Sequence, residues 1–224
     1  KPTLPNPYRL VPDWPTLPAS MKGPNGKKWG EVIRVHVAPN RNIWVFHRCF
    51  NNKPTGDATC LNRGDANPPV LEFNPAGRLL KRFGVGLFAH PHGFTVDRNG
   101  NIWTTDSNAD ETILGMPAKN AQGVAIGQTV LKISPEGKVL MTLGTPGVKG
   151  DPPNALTEPN DVVTDPGNGD VYVAESHTNV NDPNLVGRIS VFDRNGKFLR
   201  VIGKTGTEPG EFRTPHAIEF DSQG

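Results

Sequence analysis

Three stretches repeat one plan: VLEFNPAGRLLKRFG (70–84), VLKISPEGKVLMTLG (130–144) and ISVFDRNGKFLRVIG (189–203). Each places a glycine seven residues before a final glycine, at 77 and 84, 137 and 144, and 196 and 203. An apolar run, a turn rich in Asn, Asp, Pro or Gly and a second apolar run read as strand, tight turn, strand. The closing glycines recur at intervals of 60 and 59 residues. That period is longer than those of the simplest propeller repeats and is consistent with loops inserted on one face.

Working outward, the residues before each stretch repeat as well. PHGFTVD (91–97), PNDVVTD (159–165) and PHAIEFD (215–221) share a leading proline and a closing aspartate. In the first two, a glycine turn and another strand follow, NGNIWTTD (99–106) and NGDVYVAE (168–175). The first copy, VHVAPNRNIWVFH (35–47), keeps strand, turn and strand without the proline. Atypical terminal repeats are ordinary in such arrays.

Four short strands per unit make a small antiparallel sheet that cannot bury both faces alone. Radial stacking of such sheets buries them and protects the edges, which is the β-propeller solution. The expectation is therefore an all-β propeller of four-stranded antiparallel blades. Blades fall near 30–84, 85–144, 145–203 and an incomplete 204–224, after an extended amino-terminal segment over 1–29. Three and a fraction blades leave an open ring, so the chain reads as part of a larger propeller, with six blades expected in the complete protein. No segment carries a sustained helical period with caps.

Composition narrows the function classes. The net charge of +2 comes from 24 basic and 22 acidic residues with no run of like charge, which argues against a nucleic-acid footprint. No window approaches the roughly 18 apolar residues of a membrane span, and the amino end lacks the apolar core of a signal peptide. Cys49 and Cys60 flank a polar loop. They close a disulfide if their Cα atoms come within about 7 Å, or else stand as two thiols; the bonded form is expected, and it tilts the compartment toward extracellular or periplasmic.

Several apparent motifs fail on context. GVGLFA (84–89) matches a dinucleotide pattern but runs into His90 and Pro91 instead of opening a helix. Asp106, Asn108 and Asp110 imitate a calcium loop, yet Glu111 stands where the sharp turn needs glycine. Ser176 lacks the glycines of a nucleophile elbow, and Gly203, Lys204 and Thr205 have no phosphate loop before them.

The histidines are different. His92 and His216 each follow the repeat's proline. In a propeller, equivalent positions of different blades converge on the central channel, so the two imidazoles are expected to share a space as zinc ligands would. His36, His47 and His90 have no positional partners and are given no role.

At these residues the chain resembles the NHL-type propellers and, within them, the peptidyl α-hydroxyglycine α-amidating lyases. The resemblance runs roughly from Gly30 to Asp221 and rests on GEVIRVHVAPNRNIWVFHR, PHGF and TPHAI. It implies zinc on His92 and His216, calcium on the backbone carbonyls of Val35 and Phe94, and a catalytic Arg48. It further implies a peptide-like substrate cleaved at a carbon–nitrogen bond to an amide and glyoxylate. There are departures: His177 stands where the family has a catalytic tyrosine, and Thr157 and Thr178 stand near the places of a family disulfide. The family's third zinc histidine and its calcium aspartate belong to a later blade. His177 is taken as the candidate base, because imidazole titrates near neutrality. The alternative is a non-catalytic propeller whose top face binds a protein or a glycan.

Overall fold

A computed structural model describes residues 6–21, 31–49, 68–107, 118–120, 122–176 and 181–221. Among these residues none is helical, and twelve strands form three four-stranded antiparallel sheets. The first sheet is β1 (Val32–Val37), β2 (Ile43–His47), β3 (Val70–Phe73) and β4 (Leu79–Phe83). The second is β5 (Pro91–Val96), β6 (Ile102–Asp106), β7 (Thr129–Ile133) and β8 (Val139–Leu143). The third is β9 (Pro159–Thr164), β10 (Val171–Glu175), β11 (Arg188–Phe192) and β12 (Phe198–Ile202). In each sheet the strands follow chain order, and the last strand ends one residue before a closing glycine.

Burial explains why these runs are strands and why the sheets stack. Every residue of β6 is buried, since the middle sheet is covered on both faces. Ile102, Leu131 and Ile133 pack toward Trp44, Phe46 and Val70 of the first sheet. Phe46 meets Phe88 at 5.1 Å and Phe94 at 5.5 Å between ring centroids, in edge and tilted geometries. On the other side Trp103, Val130 and Leu143 pack with Val162, Val171, Val173 and Phe192 of the third sheet. The outer strand β8 instead alternates between half-buried and exposed positions over its first four residues.

Two segments differ from the sequence reading. The described part of the amino-terminal segment is docked, not merely extended. Thr16 bridges Arg78, Trp14 Nε1 donates to the Pro75 carbonyl at 3.1 Å, and Met21 is buried with Val45, Leu71 and Phe73. PHAIEFD (215–221), read as the first strand of a fourth unit, belongs to no sheet, because among the described residues no second strand pairs with it. Side chains hold it to β9 instead: Asn160 Nδ2 donates to the Pro215 carbonyl at 3.4 Å, and the Ile218 amide donates to Asp161 Oδ2 at 3.2 Å.

Candidate functional site

The innermost strands β1, β5 and β9, together with residues 217–219, line a channel space of ≈ 370 Å³. Their close approach depends on Gly93. A Cβ there would lie 2.6 Å from Asp161 Cα and 2.7 Å from the Asn160 carbonyl oxygen. Thr105 ties the two strands further, accepting from the Gly93 amide at 2.6 Å and donating to the Asn160 carbonyl at 3.2 Å.

At the proline end of this channel the rings of His92 and His216 meet edge to face, with centroids 4.7 Å apart. His92 is buried, and its Nδ1 lies 2.7 Å from the Asn160 carbonyl. A carbonyl only accepts, so Nδ1 carries the proton and the lone pair sits on Nε2. That tautomer is the one metal-bound imidazoles adopt, with the other nitrogen held by a backbone oxygen. The His90 ring stacks beyond His92 at 6.5 Å. Among the described residues no cluster of three or more His, Cys, Asp and Glu side chains could hold a metal ion. The two histidines are therefore a partial donor set, and a zinc ion would need a further ligand.

Arg48 belongs to the same rim. Its Nη1 donates to Glu31 Oε2 at 2.8 Å and its Nε to the Pro91 carbonyl at 3.3 Å, one residue before His92. His177 lies outside the described residues. Ser176, just before it, donates from Oγ to the Arg213 carbonyl at 3.1 Å, three residues ahead of His216. Cys49 is buried and not free, and its expected partner Cys60 lies outside the described residues.

Val35 and Phe94 line the channel space on β1 and β5, near Asp161. Burial pushes the Asp161 carboxyl up from its ordinary value, and Arg34, whose Nη2 lies 2.7 Å from Oδ2, pulls it back down. A guanidinium thus already balances the buried carboxylate at this level, so a calcium at these carbonyls would draw its charged ligand from elsewhere. His36 lines the same space; burial lowers its pKa and Glu219 opposes the shift.

Three further buried polar positions have no role assigned from the sequence. The last residues of β2, β6 and β10 are His47, Asp106 and Glu175, all fully buried. His47 Nε2 lies 2.9 Å from the Pro68 carbonyl, and burial pushes its pKa down to about 4. Asp106 accepts from the amides of Ala89 and His90, and burial pushes it up to about 7 against those amides. Glu175 accepts from the Thr157 amide and from Arg188. Their signal was positional: one polar residue ending the second strand of each blade.

Comparison with known proteins agrees with this architecture. The NHL repeat family matches residues 88–109. Fold and match together define the chain as a β-propeller carrying an NHL repeat. Over most of its length it resembles peptidyl-α-hydroxyglycine amidating enzymes. It is 30% identical over 223 residues to peptidyl-glycine alpha-amidating monooxygenase B of Xenopus laevis, covering 94% of this chain and 22% of that protein. It is 26% identical over 231 residues to peptidyl-alpha-hydroxyglycine alpha-amidating lyase 2 of Drosophila melanogaster, covering 96% of this chain and 47% of that protein. NHL repeat-containing protein 3 of Homo sapiens is 29% identical over 168 residues, covering 72% of this chain and 42% of that protein. The chain thus spans less than half the length of each of these relatives.

Proposed function

We propose that the chain contributes the channel site of a metal-dependent lyase that cleaves a peptidyl α-hydroxyglycine at its carbon–nitrogen bond, giving a peptide amide and glyoxylate. The observation that carries the reading is the meeting of His92 and His216 from separate blade entries at one channel mouth, 4.7 Å between ring centroids. The likeness to the amidating enzymes supplies the reaction class. Zinc, when bound, supplies Lewis acidity toward the α-hydroxyl group.

The chain's own residues do the rest. His92 and His216 hold the metal through imidazole nitrogens, and the Asn160 carbonyl fixes the His92 tautomer. Arg48 turns its planar donors to the substrate carboxylate or to the oxygen that gains charge, exchanging its exposed partner Glu31 for it. His177 takes the hydroxyl proton as the carbon–nitrogen bond breaks, and the leaving nitrogen is protonated to the amide. Calcium at the carbonyls of Val35 and Phe94, a Cys49–Cys60 bond and an extracellular or periplasmic location complete the proposal.

The test is glyoxylate release from a peptide ending in α-hydroxyglycine, with zinc supplied. Release that falls at least about 100-fold in His92→Ala supports the reading. A chain that binds zinc but yields no glyoxylate overturns it and leaves a propeller that binds a partner on this face, in keeping with a relative named only for its repeat.

A further inference from the structure

Three blade entries share an equivalent position directly after the repeat's proline. In two entries it holds His92 and His216; in the third it holds Asn160. Asn160 is fully buried, and among the described residues its side-chain oxygen Oδ1 has no hydrogen-bond partner. The other atoms of the residue are engaged on both sides. Its backbone carbonyl receives His92 Nδ1 at 2.7 Å and Thr105 Oγ1 at 3.2 Å, and its Nδ2 donates to the Pro215 carbonyl at 3.4 Å, one residue before His216. That last contact fixes the amide orientation, because turning it over would set Oδ1 against the Pro215 carbonyl. The residue therefore bridges the two histidine-bearing segments with its acceptor unsatisfied.

A buried amide oxygen without a donor is a cost that native proteins rarely carry unless something else supplies the donor. We infer that Asn160 is a third ligand-contacting residue of the channel mouth, its Oδ1 accepting a hydrogen bond from an O–H or N–H donor held between His92 and His216. With zinc at the histidines, that donor would be an O–H group of water or substrate held beside them, so the inference rests on the zinc reading above. Asn suits this task better than a third histidine, since its neutral oxygen orients a proton-bearing group instead of competing for the metal.

Zinc titration by calorimetry on the full chain, with glyoxylate chemistry left aside, tests both claims separately. His216→Ala is expected to lose zinc binding. Asn160→Leu is expected to weaken zinc affinity about tenfold or more, while the melting temperature of the metal-free chain stays level or rises because an unsatisfied acceptor has gone. Asn160→Asp, close in shape, is expected to tighten binding through its charge and serves if the leucine variant fails to fold. Loss of binding in His216→Ala with wild-type affinity in the Asn160 variants overturns the role of Asn160 alone. Wild-type affinity in His216→Ala overturns the zinc reading and this inference together.

Discussion

At the turn end of the sheets one construction recurs, whereas at the channel-mouth end each blade carries different side chains at the same positions. Asn74, Asp97, Ser134 and Asp193 each open a turn in which the carbonyl of that residue receives the amide of a glycine three residues on. In each turn the same residue's side-chain oxygen accepts a further backbone amide, as Asp97 Oδ1 does from Asn99 and Asn101 at 2.9 Å. At the other end, His47, Asp106 and Glu175 occupy one register position, and Arg48, Ser107 and Ser176 the next. Repetition marks what every blade needs to fold, and divergence marks what the blades do individually.

The largest effect separating the two ends is expected at Glu175. It is fully buried and paired with Arg188 at 2.9 Å, so Glu175→Ala strands a largely buried guanidinium and should cost about 3–5 kcal/mol in urea unfolding. A loss below about 1 kcal/mol would mean that Asp151, which also meets Arg188, suffices alone.

Two glycines set the ends against each other directly. Gly93→Ala drives a methyl into the backbone of Asp161 and Asn160 and should cost about 3 kcal/mol. Gly100→Ala, at φ +81° with its nearest contact 3.8 Å away, meets only backbone strain of about 1 kcal/mol. Equal losses would erase the distinction between close approach at the channel and conformational freedom at a turn.

Equivalent positions in blades one and two should respond oppositely to pH. The folded pKa of His47 is depressed to about 4 from 6.5, so between those values the unfolded chain binds more protons and stability is lost as pH falls. The folded pKa of Asp106 is raised to about 7 from 3.8, so in that window the folded chain holds the extra proton and stability is lost as pH rises, levelling above about 7. Relative to wild type, Asp106→Asn should gain stability steadily from pH 4 to 7, and His47→Asn should lose it from pH 4 to 6.5. Thermal melts across that range check both signs.

The smallest effect belongs to the repeated turns. Asp193→Ala removes acceptors for the Asn195 and Lys197 amides and should cost about 1 kcal/mol, leaving zinc binding unchanged.

The same contrast explains what the sequence disclosed. The turns are local and repeat, so Gly77, Gly137 and Gly196 revealed the blades on spacing alone. His92 and His216 were legible for the same reason: register converts to radial position. Asn160 shares that register but has no metal-ligating chemistry to set it apart from an ordinary blade-entry asparagine. The Arg34–Asp161 pair joins residues far apart in the chain, and its partners become neighbours only once β1 and β9 share a channel. The burial of His47, Asp106 and Glu175 has no local signal in the sequence, because the segments that cover them come from elsewhere in the chain.

The central claim is that His92 and His216 bind one zinc ion at the channel mouth. X-ray absorption at the zinc edge of the zinc-loaded chain measures it most directly. The account predicts imidazole nitrogens at about 2.0–2.1 Å from the metal, with the imidazole scattering reduced by one ring in His92→Ala and in His216→Ala. A spectrum of oxygen ligands alone, unchanged by either substitution, would contradict it.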